Sequence, residues 1–150
     1  DAFGTGTLGT ARRMGALKFL GVILAVVALD LLSKWWALGL GIDVVQNTGV
    51  SFGMTVGDPA LQWVVLLGML GAILYVVRQG LVNAWGGALM LGGGLGNIVD
   101  RLMDGAVADW LPLPILSLQN NIADWAIFFG MTLIVVQLLR EQRKRREETI

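Results

Sequence analysis

The sequence predicts an all-α membrane protein, a single domain over residues 1–150 with four transmembrane helices and a small β-rich outer cradle between helices 1 and 2. Three observations carry this prediction. Of the 150 residues 55% are hydrophobic and only 15% charged, with 21 glycines and a mean hydropathy of +0.70, a balance foreign to soluble domains. The apolar residues gather into four stretches of about 17–25 residues, the length a helix needs to cross a ~30 Å hydrocarbon core. The basic residues divide unevenly between the two ends of such a bundle.

The first stretch, Lys18–Leu38, carries Asp30 and Lys34 within its apolar run. They and the Trp35-Trp36 pair stand where a cleavable signal peptide would have small residues, so this stretch is expected to persist as a helix. Ahead of it, residues 1–17 read as a flexible segment, Gly- and Thr-rich over its first fourteen positions. The second stretch is Leu61–Val77 and the third Val82–Val99. Within the third, the run Gly92-Gly93-Gly94-Leu95-Gly96-Asn97 is no nucleotide loop, because no strand precedes it and neither GxGxxG nor Walker spacing fits. Gly92 and Gly96 instead make a small-xxx-small face for close helix contact. The fourth stretch is Ile122–Leu139. Residues 141–150 follow as a charged cytoplasmic tail of three Glu and four basic residues, suited to anionic lipid.

Two segments connect the stretches on the outer side. Gly39–Ala60 holds the β-like runs Ile42–Gln46 and Val50–Met54 around Asn47-Thr48-Gly49, a sequence suited to a turn between them. Asp100–Asn121 contains Pro112 and Pro114, which oppose one continuous helix. The direction follows from Arg12, Arg13, Lys18, Arg78, Arg140, Arg143, Lys144, Arg145 and Arg146 on one side, against Lys34 and Arg101 on the other. Positive residues stay inside, so both termini are expected in the cytoplasm.

The chain has no histidine and no cysteine. Disulfides, thiol nucleophiles, Ser-His-Asp triads and Cys/His metal sites are thereby excluded. Eleven basic residues balance eleven acidic ones, so no net field marks a nucleic-acid binder. Any chemistry falls to carboxylates, amides, hydroxyls, lysine or arginine. Seven of the eleven acids collect on the outer half: Asp30, Asp43, Asp58, Asp100, Asp104, Asp109 and Asp124. Asp30 lies twelve residues past Lys18, ~18 Å along a helix, and ionisable groups at that depth are functional candidates. Lys34 is one turn further on the same face, placed for an i,i+4 ion pair. Two readings stand for the pair, a structural tie holding the first helix in the bundle or a contact to substrate. Asn121 and Asp124 likewise fit an N-cap and a first-turn carboxylate without any chemistry. What sets Asp109 and Asp124 apart is their shared level at the outer interface.

Four local patterns, in order, resemble those of the lipoprotein signal peptidases, the type II signal peptidases. They are Asp30-Leu-Leu-Ser33-Lys34, then Asn47-Thr48-Gly49-Val50-Ser51-Phe52, then Gly93-Gly94-Leu95-Gly96-Asn97-Ile-Val-Asp100-Arg101, and last Val107-Ala108-Asp109-Trp110 followed by Asn121-Ile-Ala123-Asp124. The resemblance spans about residues 18–140. It implies an aspartic endopeptidase of the bacterial inner membrane, with no metal or cofactor, that cleaves diacylglyceryl-modified prolipoproteins just before the lipidated cysteine. By the same resemblance Asp109 and Asp124 match the catalytic pair, and Asn47 and Arg101 match residues that engage the lipidated substrate. Asn97 and Asn121 match amides lining the site, while Asp30, Lys34, Gly49 and Asp100 belong to the surrounding motifs. The expected partners are the prolipoprotein and membrane lipid, with the enzyme a monomer and its site near the outer face. Asn120 departs from the pattern, standing where the family usually has an aromatic.

Two neighbouring carboxylates cannot both ionise cheaply, so one keeps a proton at neutral pH. The ionised member can activate water and the protonated member can bind the scissile carbonyl. The helix N-terminus favours the charged form of Asp124 and apolar neighbours the neutral form of Asp109, although a coupled pair titrates as a unit. A rival reading is a small four-pass ion or proton transporter, or a subunit of a membrane complex, with Asp30 as relay. A relay would spread its acids along the bundle. Here they collect at one side.

Overall fold

In the structure, a computed structural model, residues 15–49, 58–113 and 118–148 are described. Among these residues are four helices: α1 (Ala16–Gly39), α2 (Pro59–Arg78), α3 (Ala84–Asp104) and α4 (Ile122–Glu148). Between them lie the short strands β1 (Val45–Asn47), β2 (Val107–Asp109), β3 (Leu111–Leu113) and β4 (Leu118–Asn120). Three helices, α1, α2 and α4, are long and apolar enough to cross a membrane. α3 falls outside that group: it is rich in glycine and ends in Asp100, Arg101 and Asp104, and it is the helix the others surround, packing against α1, α2 and α4.

Glycine explains how α3 occupies the centre. A Cβ at Gly86 would lie 2.7 Å from the carbonyl oxygen of Gly130 in α4, and one at Gly92 would lie 2.8 Å from Val26 Cβ in α1. At Gly93 it would strike the carbonyl of Ala123. These positions let backbones approach, as the small-xxx-small reading requires. α1 answers with a stripe of buried residues, Ile23, Val26, Asp30, Lys34 and Ala37, which recur at the three- and four-residue spacing of one helix face. The stripe is apolar in its first half and becomes charged toward β1.

Several boundaries differ from those read from the sequence. Residues 1–14 of the N-terminal segment lie outside the described residues, and Ala16 and Leu17, assigned to it, are helical. α3 runs five residues beyond Val99, so Asp100 and Arg101 ride on a helix rather than in an outer segment. Hydropathy ends before the helix does. Nothing in residues 98–104 breaks a helix, and it stops only at Gly105, whose φ of 74° is the left-handed geometry that glycine adopts without penalty. The charged tail, whose residues read as a solvated helical end, does continue α4 without a break to Glu148.

The cradle differs as well. Among the described residues β1 pairs antiparallel with β2, setting Val45 opposite Asp109 and Asn47 opposite Val107. The run Val50–Met54 lies outside the described residues. β3 and β4 form a second antiparallel pair, with Leu111 opposite Asn120, in the segment where the prolines opposed a helix. Three of the four described strands thus stand between α3 and α4, and only β1 between α1 and α2. Pairing across 60 residues of chain is a tertiary choice that local turn propensity does not encode.

Candidate active site

Asp109 closes β2, and its neighbour Trp110 donates its backbone N–H to the carbonyl of Asn120 at 2.9 Å. The segment is therefore held from β1 on one side and from β4 on the other. Asp109 is 2% exposed, and each of its carboxylate oxygens takes a side-chain amide. Oδ1 accepts from Asn121 Nδ2 at 2.6 Å and Oδ2 from Asn47 Nδ2 at 3.0 Å. Asn47 is oriented for this by its own oxygen, which accepts the N–H of Gly49 at 2.9 Å and so turns the amide nitrogen toward Asp109. Burial pushes the Asp109 carboxyl above the usual carboxylate range; the Asn47 and Asn121 hydrogen bonds, and the charges of Lys34 and Arg101, oppose it.

Asp124 sits in the first turn of α4. Its Oδ1 accepts from Asn97 Nδ2 at 2.8 Å, and its backbone N–H donates to Asn121 Oδ1 at 2.9 Å. The capping reading of Asn121 is therefore right as far as it goes. The same fully buried amide spends its other end on Asp109. One side chain thus joins the segments that carry the two aspartates.

Around this pair stand the remaining residues singled out in the sequence. Lys34 pairs with Asp30, as the i,i+4 spacing predicts, and also with Asp100 at 2.7 Å. Asp30 accepts the N–H of Ala123 at 2.8 Å and Asp100 that of Ala108 at 3.1 Å. Arg101 donates through Nη2 to the carbonyl of Gly49 and through Nη1 to that of Asn97 at 3.0 Å, tying the Asn47–Gly49 loop to α3. Its Nε is buried without a partner. Among the described residues no three of His, Cys, Asp or Glu converge as a metal site.

Sequence reading missed several contributors. Asn120, with its amide oriented to satisfy both neighbours, donates to the Leu111 carbonyl at 3.1 Å and accepts from Trp125 Nε1 at 3.2 Å. It thus ties β4 to β3 and to the first turn of α4. Trp36 packs edge-on against Trp110 at 6.0 Å. Ala108 and Ala123 contribute only backbone N–H groups, which no side-chain pattern announces.

The family model described as signal peptidase (SPase) II matches residues 22–140. The chain belongs to the signal peptidase II family. It is 32% identical to a lipoprotein signal peptidase of Solibacter usitatus, over 85% of this chain and 93% of that one. A second, of Syntrophomonas wolfei, is 33% identical over 87% and 99%. Two solved structures of bacterial membrane enzymes share the fold, with TM-scores of 0.75 and 0.73 at 21% and 22% identity. They cover 87% and 85% of this chain and 92% and 96% of theirs. As a signal peptidase II family member the chain is a membrane-integral protease, and nothing in these similarities favours the transporter reading.

Proposed function

We propose that this signal peptidase is an aspartic endopeptidase of the bacterial inner membrane, in which Asp109 and Asp124 are the catalytic pair. It removes signal peptides from diacylglyceryl-modified prolipoproteins, cutting just before the lipidated cysteine. The observation that carries the reading is the bridge by Asn121, which holds Asp109 by one end of its amide and the backbone of Asp124 by the other. A chain without His or Cys leaves two neighbouring carboxylates as its means of activating water.

Asp109, almost fully buried at the end of β2, is assigned the shared proton and donates it toward the scissile carbonyl. Asp124, less buried and in the first turn of α4, takes a proton from the attacking water; the helix N-terminus favours its charged form. The proton taken by Asp124 then passes to the amine nitrogen as the C–N bond breaks, and the hydroxyl formed from the carbonyl returns its proton to Asp109 as the C=O is restored. The scheme uses no metal or organic cofactor. All four helices span the membrane, α3 inside the bundle, with both termini cytoplasmic and the site near the outer face. There the peptide meets water while its diacylglyceryl group stays in lipid. Asn47, Asn97 and Arg101 face this site and take part in holding the substrate.

Cleavage of a synthetic diacylated prolipopeptide by the purified protein in detergent tests the reading. Wild type should release the signal peptide, and Asp109→Asn and Asp124→Asn should each fold without doing so. Turnover by folded Asp124→Asn within about tenfold of wild type would leave Asp124 as a helix-terminal charge, whose loss costs only ~0.3–1 kcal/mol.

A further inference from the structure

The buried ions beside the aspartate pair have a regular arrangement. Asp30 accepts the N–H of Ala123, the residue immediately before Asp124. Asp100 accepts the N–H of Ala108, the residue immediately before Asp109. Lys34 bridges the two carboxylates. A third arm runs through Asn97, whose oxygen lies 3.5 Å from Lys34 Nζ. An ammonium only donates, so it holds the Asn97 oxygen toward itself and turns the amide nitrogen to Asp124, 2.8 Å away. Lys34, Asp30 and Asp100 are 4%, 0% and 6% exposed, and none of them contacts the carboxylate of Asp109 or Asp124 in a hydrogen bond or ion pair.

We infer that Lys34, with Asp30 and Asp100, is a positioning clamp that sets the separation of the two site aspartates by gripping the peptide unit ahead of each. This rests on the aspartic reading proposed above. A simple scaffold pair would need one carboxylate and no connection to β2. Here one ammonium on α1 reaches a strand end through Asp100 of α3 and a helix start through Asp30 of α1, and both lead into the residue that does the chemistry. Geometry of this kind bears on the reaction itself, because misplacing reacting groups by about 1 Å can cost on the order of a hundredfold in rate.

Two variants of Asp100 separate position from charge. Asp100→Asn keeps an acceptor where the carboxylate oxygen stands but loses the charge. Asp100→Glu keeps the charge but carries the acceptor one methylene further, so the Ala108 peptide must move. The readout is kcat and KM for the diacylated prolipopeptide per folded molecule, with Asp109→Asn and Asp124→Asn run alongside. The clamp predicts that Asn retains kcat within about tenfold of wild type, while Glu loses about a hundredfold with KM unchanged in both. Glu retaining as much kcat as Asn, or a loss confined to KM or to the folded fraction, overturns it. Should Asp100→Glu fail to fold, Asp100→Ser, which shortens the arm instead, takes its place in the same comparison. Turnover within about tenfold of wild type in either folded aspartate variant would instead overturn the aspartic reading, so the two failures are distinguishable.

Discussion

α2 and α3 are nearly equal in length, 20 and 21 residues, yet they are built for opposite surroundings. α2 buries none of its residues, and a Cβ at Gly68 or Gly71 would meet nothing within 4 Å. α3 buries ten. Backbone from α1 and α4 presses against its glycines, whereas α2 reaches it through the side-chain ends of Leu70 and Val77 at Gly94 and Gly87. Their ends toward the strands differ as well. At its start α2 has Asp58, which caps its own helix by accepting from Ala60 N–H at 2.8 Å. The last turns of α3 hold Asn97, Asp100 and Arg101, each bonded to another part of the site. The more hydrophobic helix is the lipid-facing one. The helix that organises the site is less apolar because protein, not lipid, is its neighbour.

The sharpest way to break this contrast is at the carboxylates. Asp124→Asn, at the group Asn97 of α3 addresses, and Asp109→Asn should each lower turnover by about 10²–10⁴-fold, with the double variant scarcely worse than either single one. Asp58→Asn on α2 is the counterpart. Asparagine caps a helix as well as aspartate does, so prolipopeptide cleavage and melting temperature should both stay near wild type. A large loss at Asp58, or additive losses at the pair, would mean the chemistry is not confined to the α3 side.

Packing gives the next effect. Gly86→Ala places a methyl against the Gly130 carbonyl and Ile134, and forcing α3 from α4 should cost about 1–3 kcal/mol. Gly68→Ala on α2 enters open space and gains up to about 1 kcal/mol from reduced backbone freedom in the unfolded chain. Thermal unfolding in detergent should move in opposite directions for the two. Equal shifts would erase the distinction between a packed and a lipid-facing helix.

The smallest effect is in the pH dependence of stability. Because burial raises the Asp109 carboxyl, the folded state holds a proton that the unfolded chain releases near its ordinary value of 3.8. The unfolded state therefore binds fewer protons in that window, and stability falls as pH rises through it toward the raised folded pKa. Asp109→Asn removes the titration. The melting temperature of wild type relative to this variant should decline as pH rises from about 4 to 7; a flat difference would mean Asp109 titrates like an exposed carboxyl.

Much of the molecule was legible from residue order alone. The helices follow from apolar runs that cannot sit in water, the i,i+4 pairing of Asp30 and Lys34 from helix geometry, and the close packing of α3 from Gly92 and Gly96. The exclusion of His and Cys chemistry needed only the composition. Folding in three dimensions decided the rest. β1 pairs with β2 across 60 residues of chain because distant strand partners are chosen by what the helices bring alongside. α3 continues through Asp100 and Arg101 because buried partners satisfy those charges, which hydropathy counts only as the end of a span. The double duty of Asn121, and the grip of Asp30 and Asp100 on the peptides before the two aspartates, were invisible for a simpler reason. Every residue carries the same backbone N–H, and only tertiary structure decides which one a distant carboxylate will meet.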